Sequence, residues 1–243
     1  MFTVKNTIRQ ILRPRLWEFR RYDADLSLDT YLWMLFDHYN INCVLDVGAR
    51  VGDYGSMLRE NGYRGEILSF EPVEANFLQL KQRCSADPAW RAYQFALGSE
   101  SGSAEINVAH DTHYSSFLAP SAYGFERDSR MGVDRTEVVQ VKRLDEIQEE
   151  ITGRIADPRI YLKMDTQGFD LAVMRGAQGC LDRVAALQTE LSLKALYDHM
   201  PDWITALAEF NAAGYEPSAF FAVCRDNKMR LSEMDCVMVR SDG

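Results

Sequence analysis

The chain has 243 residues, 47% of them hydrophobic and 26% charged, with a formal net charge of −9. That length and apolar share suit one α/β domain with a continuous core. The acidic balance argues against a grip on DNA or RNA backbone, which needs clustered Lys and Arg, and leaves a small molecule or a glycan as the expected partner.

Residues 1–42 come first. Their basic positions (Lys5, Arg9, Arg13, Arg15, Arg20, Arg21) interleave with Ile8, Ile11, Leu12, Leu16, Trp17 and Phe19. This pattern predicts an N-terminal helical segment packed on the domain or on a twin subunit of a homo-oligomer. Peripheral contact with an anionic membrane surface is the alternative. No apolar run is long enough to span a bilayer, and the opening lacks the uninterrupted apolar core of a secretory signal. The five cysteines (Cys43, Cys84, Cys180, Cys224, Cys236) are scattered without a C-x-x-C pair. They read as reduced thiols of a cytoplasmic protein.

Residues 43–243 are expected to form the domain proper. Cys43–Val47 and Glu66–Phe70 are short apolar runs of the kind buried in a parallel sheet, with Tyr54–Asn61 as the crossover helix between them. Val73–Cys84 reads as the next helix and Arg91–Ala96 as a third strand leading into Leu97-Gly98. Two β-like pieces, Ser103–Ala109 and Glu137–Arg143, interrupt the alternation and predict a hairpin-like insertion whose polar loop covers the active-site edge. Alternation resumes with Ile160–Met164 (strand), Phe169–Arg175 (helix), Val184–Leu191 (strand) and Trp203–Ala213 (helix). Ala219–Cys224 and Cys236–Val239 read as an antiparallel pair closing a doubly wound, mostly parallel sheet.

The chemistry is expected at the strand tips. After the first strand, Gly48 and Gly52 let the backbone turn tightly before a helix. About twenty residues on, Glu71 ends the second strand, at the spacing from which a carboxylate meets ribose hydroxyls. The tighter G-x-G-x-x-G loop of pyrophosphate binders is absent, and Asp46 beside the loop suits the cationic sulfonium of S-adenosylmethionine better than a diphosphate. Asp165 tips the Ile160–Met164 strand, which should adjoin the first, and Glu190 lies on the same edge. Either could orient the acceptor or remove its proton. His110 and His113, in the inserted loop, are further candidates for proton removal, and His199 could border the acceptor pocket. His110, Asp111, Asp165 and Glu190 could surround a divalent ion, though nothing in their spacing requires a metal.

At these residues the chain resembles the FkbM-type S-adenosylmethionine-dependent methyltransferases. The resemblance runs from about Cys43 to Tyr197. It rests on Asp46-Val47-Gly48-Ala49 with Gly52-Asp53-Tyr54, Phe70-Glu71-Pro72, Ala96-Leu97-Gly98, Ser115-Ser116, Leu144-Asp145, Leu162-Lys163-Met164-Asp165 with Gln167-Gly168, and Gln188-Thr189-Glu190. It implies an α/β, Rossmann-like class I methyltransferase fold and O-methylation of a hydroxyl, commonly on a sugar of a glycolipid, a polysaccharide or a secondary metabolite. S-adenosyl-L-methionine would be held by Asp46, Gly48, Ala49, Arg50 and Gly52 in the first loop and by Glu71 and Pro72 in the second. Ala96, Leu97, Ser116 and Asp165 would complete that site, leaving Asp165, Glu190 and His110 as the catalytic candidates. Arg50 stands where the family usually has Asn, and is expected to turn outward to Asp53 or Glu71, or to meet an anionic acceptor. The alternatives are a nucleotide-binding oxidoreductase and a methyltransferase-like binding protein without chemistry.

Overall fold

A computed structural model describes residues 27–241, so the basic stretch from Lys5 to Arg21 lies outside the described residues. The first described helix, α1 (Leu28–His38), leads into β1 (Cys43–Val47), α2 (Asp53–Glu60), β2 (Glu66–Phe70), α3 (Glu74–Cys84) and β3 (Trp90–Tyr93). Next come β4 (Ala96–Leu97), β5 (Gly102–Ala109), α4 (Ala122–Arg127), β6 (Val133–Lys142) and α5 (Leu144–Thr152). The last part runs β7 (Ile160–Met164), α6 (Asp170–Gly176), β8 (Val184–Ser192), α7 (Trp203–Ala212), β9 (Tyr215–Arg225) and β10 (Leu231–Arg240).

The main sheet has seven strands in the order β3-β2-β1-β7-β8-β10-β9. β1 pairs in parallel with both β2 and β7, and only β10 runs against its neighbours. β1 and β7 are buried at every position. That burial on both faces explains why neither strand alternates in sequence.

Successive residues of β1 feed two cores, as a period of two requires. Cys43, Leu45 and Val47 pack with Leu144, Ile147 and Ile151 of α5, Leu171 and Met174 of α6, and Phe210 of α7. Val44 faces the opposite layer with Leu32, Leu35 and Phe36 of α1, Leu58 of α2 and Leu80 of α3. Helices on both faces make the fold the doubly wound α/β arrangement expected. Among the described residues no helix is long and apolar enough to cross a membrane.

Three details differ from the sequence reading. The expected strand Arg91–Ala96 is two strands: β3 stays beside β2, and β4 leaves to pair with β6 in a second sheet of order β4-β6-β5. The break falls at Gln94–Phe95, where Tyr93 and Phe95 both turn onto Phe70 (ring centroids 5.3 and 5.5 Å). The insertion is therefore a three-stranded sheet built on an antiparallel β5–β6 pair, whose connection carries α4 and two short 3₁₀ turns at Thr112–Tyr114 and Ser129–Met131. Finally, α5 is a helix that the alternation of strands had hidden, with Leu144, Ile147, Gln148 and Ile151 buried at helical spacing.

Candidate functional site

Strand order reverses between β1 and β7, so their carboxyl ends border the crevice where open α/β sheets place ligands. A cavity of about 390 Å³ lies there. Its walls include Gly48, Ala49 and Arg50 after β1, Glu71 and Pro72 after β2, and Ala96 and Leu97 of β4. The insertion contributes His113, Ser116 and Phe117. Lys163, Asp165 and Gln167 come from β7 and its loop, and Gln188, Glu190 and Asp235 from β8 and β10.

The first loop turns because Gly48 takes a φ of +75°, with the amides of Gly48 and Ala49 both donating to the Phe70 carbonyl (3.1 and 3.0 Å). A Cβ on Gly48 would lie 2.1 Å from the Asp165 carbonyl oxygen. The glycine is what lets the tips of β1 and β7 close on one another. Gly52 does not line the cavity; at φ +88° it starts α2, where a Cβ would meet Leu80 at 2.8 Å. Arg50 sits at φ +49°, a left-handed conformation that non-glycine residues adopt only when held. Its amide donates to Glu71 Oε2 at 2.8 Å, and its guanidinium turns to Asp53, which Arg83 also engages. Asp53 was one of the partners expected of Arg50, and both residues border the cavity.

Glu71 is 5% exposed. Besides the Arg50 amide it accepts from the Val73 amide (2.9 Å) and the Asn76 side chain (3.4 Å). Burial outweighs those donors and pushes its carboxyl up to about 7, with the Asp46 charge adding to the rise.

Asp46 itself is fully buried and does not line the cavity. It accepts from Ser69 Oγ (3.1 Å), and Lys163 Nζ stands 3.1 Å from its Oδ1 as an ion pair without hydrogen-bond alignment. Burial alone would lower the Lys163 ammonium. Asp46 and then Asp165, 3.6 Å away, more than offset this and hold it above its ordinary value. Asp46 thus reaches the cavity through Lys163.

At the other end Asp165 and Glu190 meet across one side chain: Gln167 Nε2 donates to Asp165 Oδ1 (2.9 Å) and to Glu190 Oε2 (3.1 Å). Burial, and the like charges of Asp165, Glu233, Asp235 and Asp170, raise the Glu190 carboxyl well above its ordinary value. Asp235 is pushed up to about 6, by burial first, although Gln188 donates to it at 3.0 Å. Gln188 in turn accepts from the hydroxyls of Tyr54 (2.9 Å) and Tyr161 (3.0 Å).

The histidines divide. His113 lines the cavity with its ring nitrogen 2.7 Å from Asp111, whereas His110 lies outside it, half-exposed and 3.7 Å from Asp134. His199 also lies outside it, at φ +62°. The four residues considered for a metal are not gathered, since Asp111 is taken up by His113 and Arg130. Among the described residues no group of three or more His, Cys, Asp and Glu could hold a metal ion. Ser116 is at the wall, but its hydroxyl donates inward to the Gln167 carbonyl at 2.8 Å.

Lys163, Gln167 and Gln188 stand within the motifs of the resemblance with no role assigned to them, and Asp235 is not among the residues singled out in the sequence. A signal for two of them was present: Lys163 is a charge inside an otherwise apolar strand, two positions before Asp165 and hence on its face. Asp235 is the charge that directly precedes the apolar run 236–239 of β10.

The methyltransferase FkbM domain model matches residues 46–217, from the tip of β1 into β9. No curated protein matches the sequence. Among solved structures, the methyltransferase FkbM of Methylobacillus flagellatus KT is 14% identical, with a TM-score of 0.47, over 82% of this chain and 44% of that one. This chain therefore spans less than half of that protein. An rRNA methylase from Streptococcus thermophilus is 10% identical, with a TM-score of 0.44, over 88% of this chain and 99% of that one. A putative RNA methyltransferase from Pyrococcus horikoshii is 9% identical, with a TM-score of 0.45, over 86% and 81%.

Proposed function

The chain belongs to the methyltransferase FkbM domain family, and from that premise we propose that it is an S-adenosylmethionine-dependent O-methyltransferase acting on a hydroxyl of a small, sugar-like acceptor. One observation carries the reading. A single cavity runs from the Gly48 loop and the Glu71 carboxylate to the Asp165–Glu190 pair. A nucleoside at one end and a hydroxyl at the other would share it. The fit is physical: Gly48 lets the tips of β1 and β7 close together at the cavity wall, and Glu71 offers ribose hydroxyls an acceptor already oriented by backbone amides. Arg50, which stands where the family usually has Asn, has its charge paired with Asp53 at the cavity wall.

Bound there, S-adenosylmethionine supplies an electrophilic methyl group on a sulfonium. The chain's residues do the rest. Gly48, Ala49, Pro72, Ala96 and Leu97 would give the cofactor backbone and apolar contact, and Glu71 would hold the ribose. Asp165 would orient the acceptor hydroxyl, and Glu190, a carboxylate whose base strength is raised by burial, would take its proton. Alignment of donor and acceptor contributes most of the rate, because the displacement is in line and the cavity holds both partners at once. Acceptors bearing phosphate or carboxylate are disfavoured by Asp165, Glu190 and Asp235 on the wall. The net charge of −9 likewise favours a small acceptor over a nucleic acid.

The test is methyl transfer from labelled S-adenosylmethionine to a panel of sugars and cyclitols, with Glu190→Gln beside the wild type. The proposal expects turnover on a neutral polyol that Glu190→Gln lowers by about 10²-fold or more, with an acid limb in the wild-type pH profile as Glu190 is protonated. Turnover equal in the two proteins would remove Glu190 from the chemistry.

A further inference from the structure

Gln167 has no part in the mechanism above, yet its side chain occupies the centre of the acceptor end. Its backbone stands at φ +54°, directly before Gly168 at +90°. Two successive left-handed residues would be cheapest as glycines, so a glutamine held in that conformation points to a use for its side chain.

Each polar atom of that side chain is committed. Nε2 divides its two hydrogens between Asp165 Oδ1 and Glu190 Oε2 (2.9 and 3.1 Å). Oε1 accepts from the Tyr197 hydroxyl at 2.9 Å, whose one proton is shared with the Tyr114 carbonyl at 3.0 Å. The orientation of the amide is thereby determined, because the flipped form would set its oxygen against the Asp165 and Glu190 carboxylates. The Gln167 carbonyl accepts from Ser116 Oγ (2.8 Å), and Ser116 is bridged by backbone to Asn107 of β5. Both anchors, Ser116 and Tyr114, belong to the insertion that walls the cavity, whereas Asp165 and Glu190 belong to the main sheet.

We propose that Gln167 is a positioning residue for methyl transfer: its amide fixes the Asp165 and Glu190 carboxylates relative to one another, and Ser116, Tyr114 and Tyr197 tie that geometry to the insertion over the cavity. The inference rests on the methyltransferase reading for its chemistry, but the juxtaposition is a property of the fold. The insertion that walls the cavity and the carboxylate pair of the main sheet are thus held in one hydrogen-bonded network.

Other groups that face Glu190 are Asp165, Asp170 of α6, Glu233 and Asp235 of β10, and Tyr197 after β8. Gln167 is the one neutral hydrogen-bond donor shared with a second carboxylate. Removing its amide leaves two carboxylates facing each other with less to stabilise their ionised forms.

The test is a carboxyl ¹³C NMR titration of the full chain labelled at Asp and Glu, with the Glu190 and Asp165 signals assigned from Glu190→Gln and Asp165→Asn. In Gln167→Met, of similar length but without the amide, both midpoints are expected to rise, by one pH unit or more for at least one of them. Tyr197→Phe, which removes only the hydroxyl that orients the amide, moves them the same way by less, and decides the matter if Gln167→Met does not fold. Unmoved midpoints in the folded variants would overturn the proposal and leave Gln167 as packing. Calorimetric binding of S-adenosylhomocysteine to the wild type is read separately. Its absence would overturn the methyltransferase reading while leaving the titration result to stand.

Discussion

At the scale of the residue, the buried charges set the behaviour to be expected. Glu71 titrates at about 7 against an ordinary 4.5. Because the folded state holds this proton more tightly than the unfolded chain, Glu71 costs no stability below about 4.5, and its contribution falls as pH rises from there to about 7. Ribose binding has the opposite sign, since hydroxyls donate to the ionised carboxylate. Affinity for S-adenosylhomocysteine should therefore drop as pH falls below about 7, approaching about tenfold per unit. Glu71→Gln should weaken binding about 10- to 100-fold, the worth of a hydrogen bond to a charge, and flatten that pH dependence. Titration calorimetry across pH reads both effects, and an unchanged affinity would place the ribose elsewhere. Lys163 is 5% exposed against a fully buried Asp46. Lys163→Met should cost about 3 kcal/mol or more by stranding that carboxylate, read from denaturant midpoints. A loss below about 1 kcal/mol would mean that water reaches Asp46. Residues such as Glu71, Asp165 and Glu190 were legible because a strand end announces itself in sequence. The Lys163–Asp46 pair and the Gln167 bridge were not, because they depend on strands brought together from more than a hundred residues apart in the chain, or on a rotamer.

At the scale of the element, the loop after β1 decides whether a cavity exists. Gly48→Ala would force a Cβ to 2.1 Å from the Asp165 carbonyl at a φ of +75°. It should destabilise the chain by about 2 kcal/mol or more and abolish cofactor binding by parting β1 from β7. Thermal melting and calorimetry check the two effects, and binding retained by a stable Gly48→Ala would show that the loop has room to spare. The elements buried on both faces, β1, β2 and β7, were the easiest to read, their apolar runs ending at the bounds observed. Elements that serve two sheets were the hardest. The path from Trp90 to Leu97 reads as one strand because its β-forming residues are contiguous, and only the packing of Tyr93 and Phe95 on Phe70 reveals the break. Helix α5 carries a helical period, but it follows β6 so closely that the β-like pattern masked it.

At the scale of the whole molecule, a doubly wound sheet supplies the cofactor half of the cavity and the insertion supplies its cover. Beyond Gln167, the two parts are joined by Arg127 of α4 and Glu233 of β10, an ion pair whose members are 20% and 8% exposed. Arg127→Met should release hydrogen-exchange protection in residues 121–127 while β1 and β7 keep theirs, since local opening needs only the contacts of the part that opens. Equal loss in both parts would mean that the insertion is not a separable unit. The parallel, doubly wound character of the sheet and the adjacency of β1 and β7 were legible from alternation. The nature of the cover was not, because polar loops follow tertiary contacts rather than a hydrophobic period. The central claim, that this cavity takes the nucleoside of a methyl donor, is tested most directly by calorimetric titration of the full chain with S-adenosylhomocysteine, followed by reduced nicotinamide dinucleotide. The account predicts micromolar-range binding of the first and none of the second. Failure of the first to bind, or binding of the dinucleotide in its place, would contradict it.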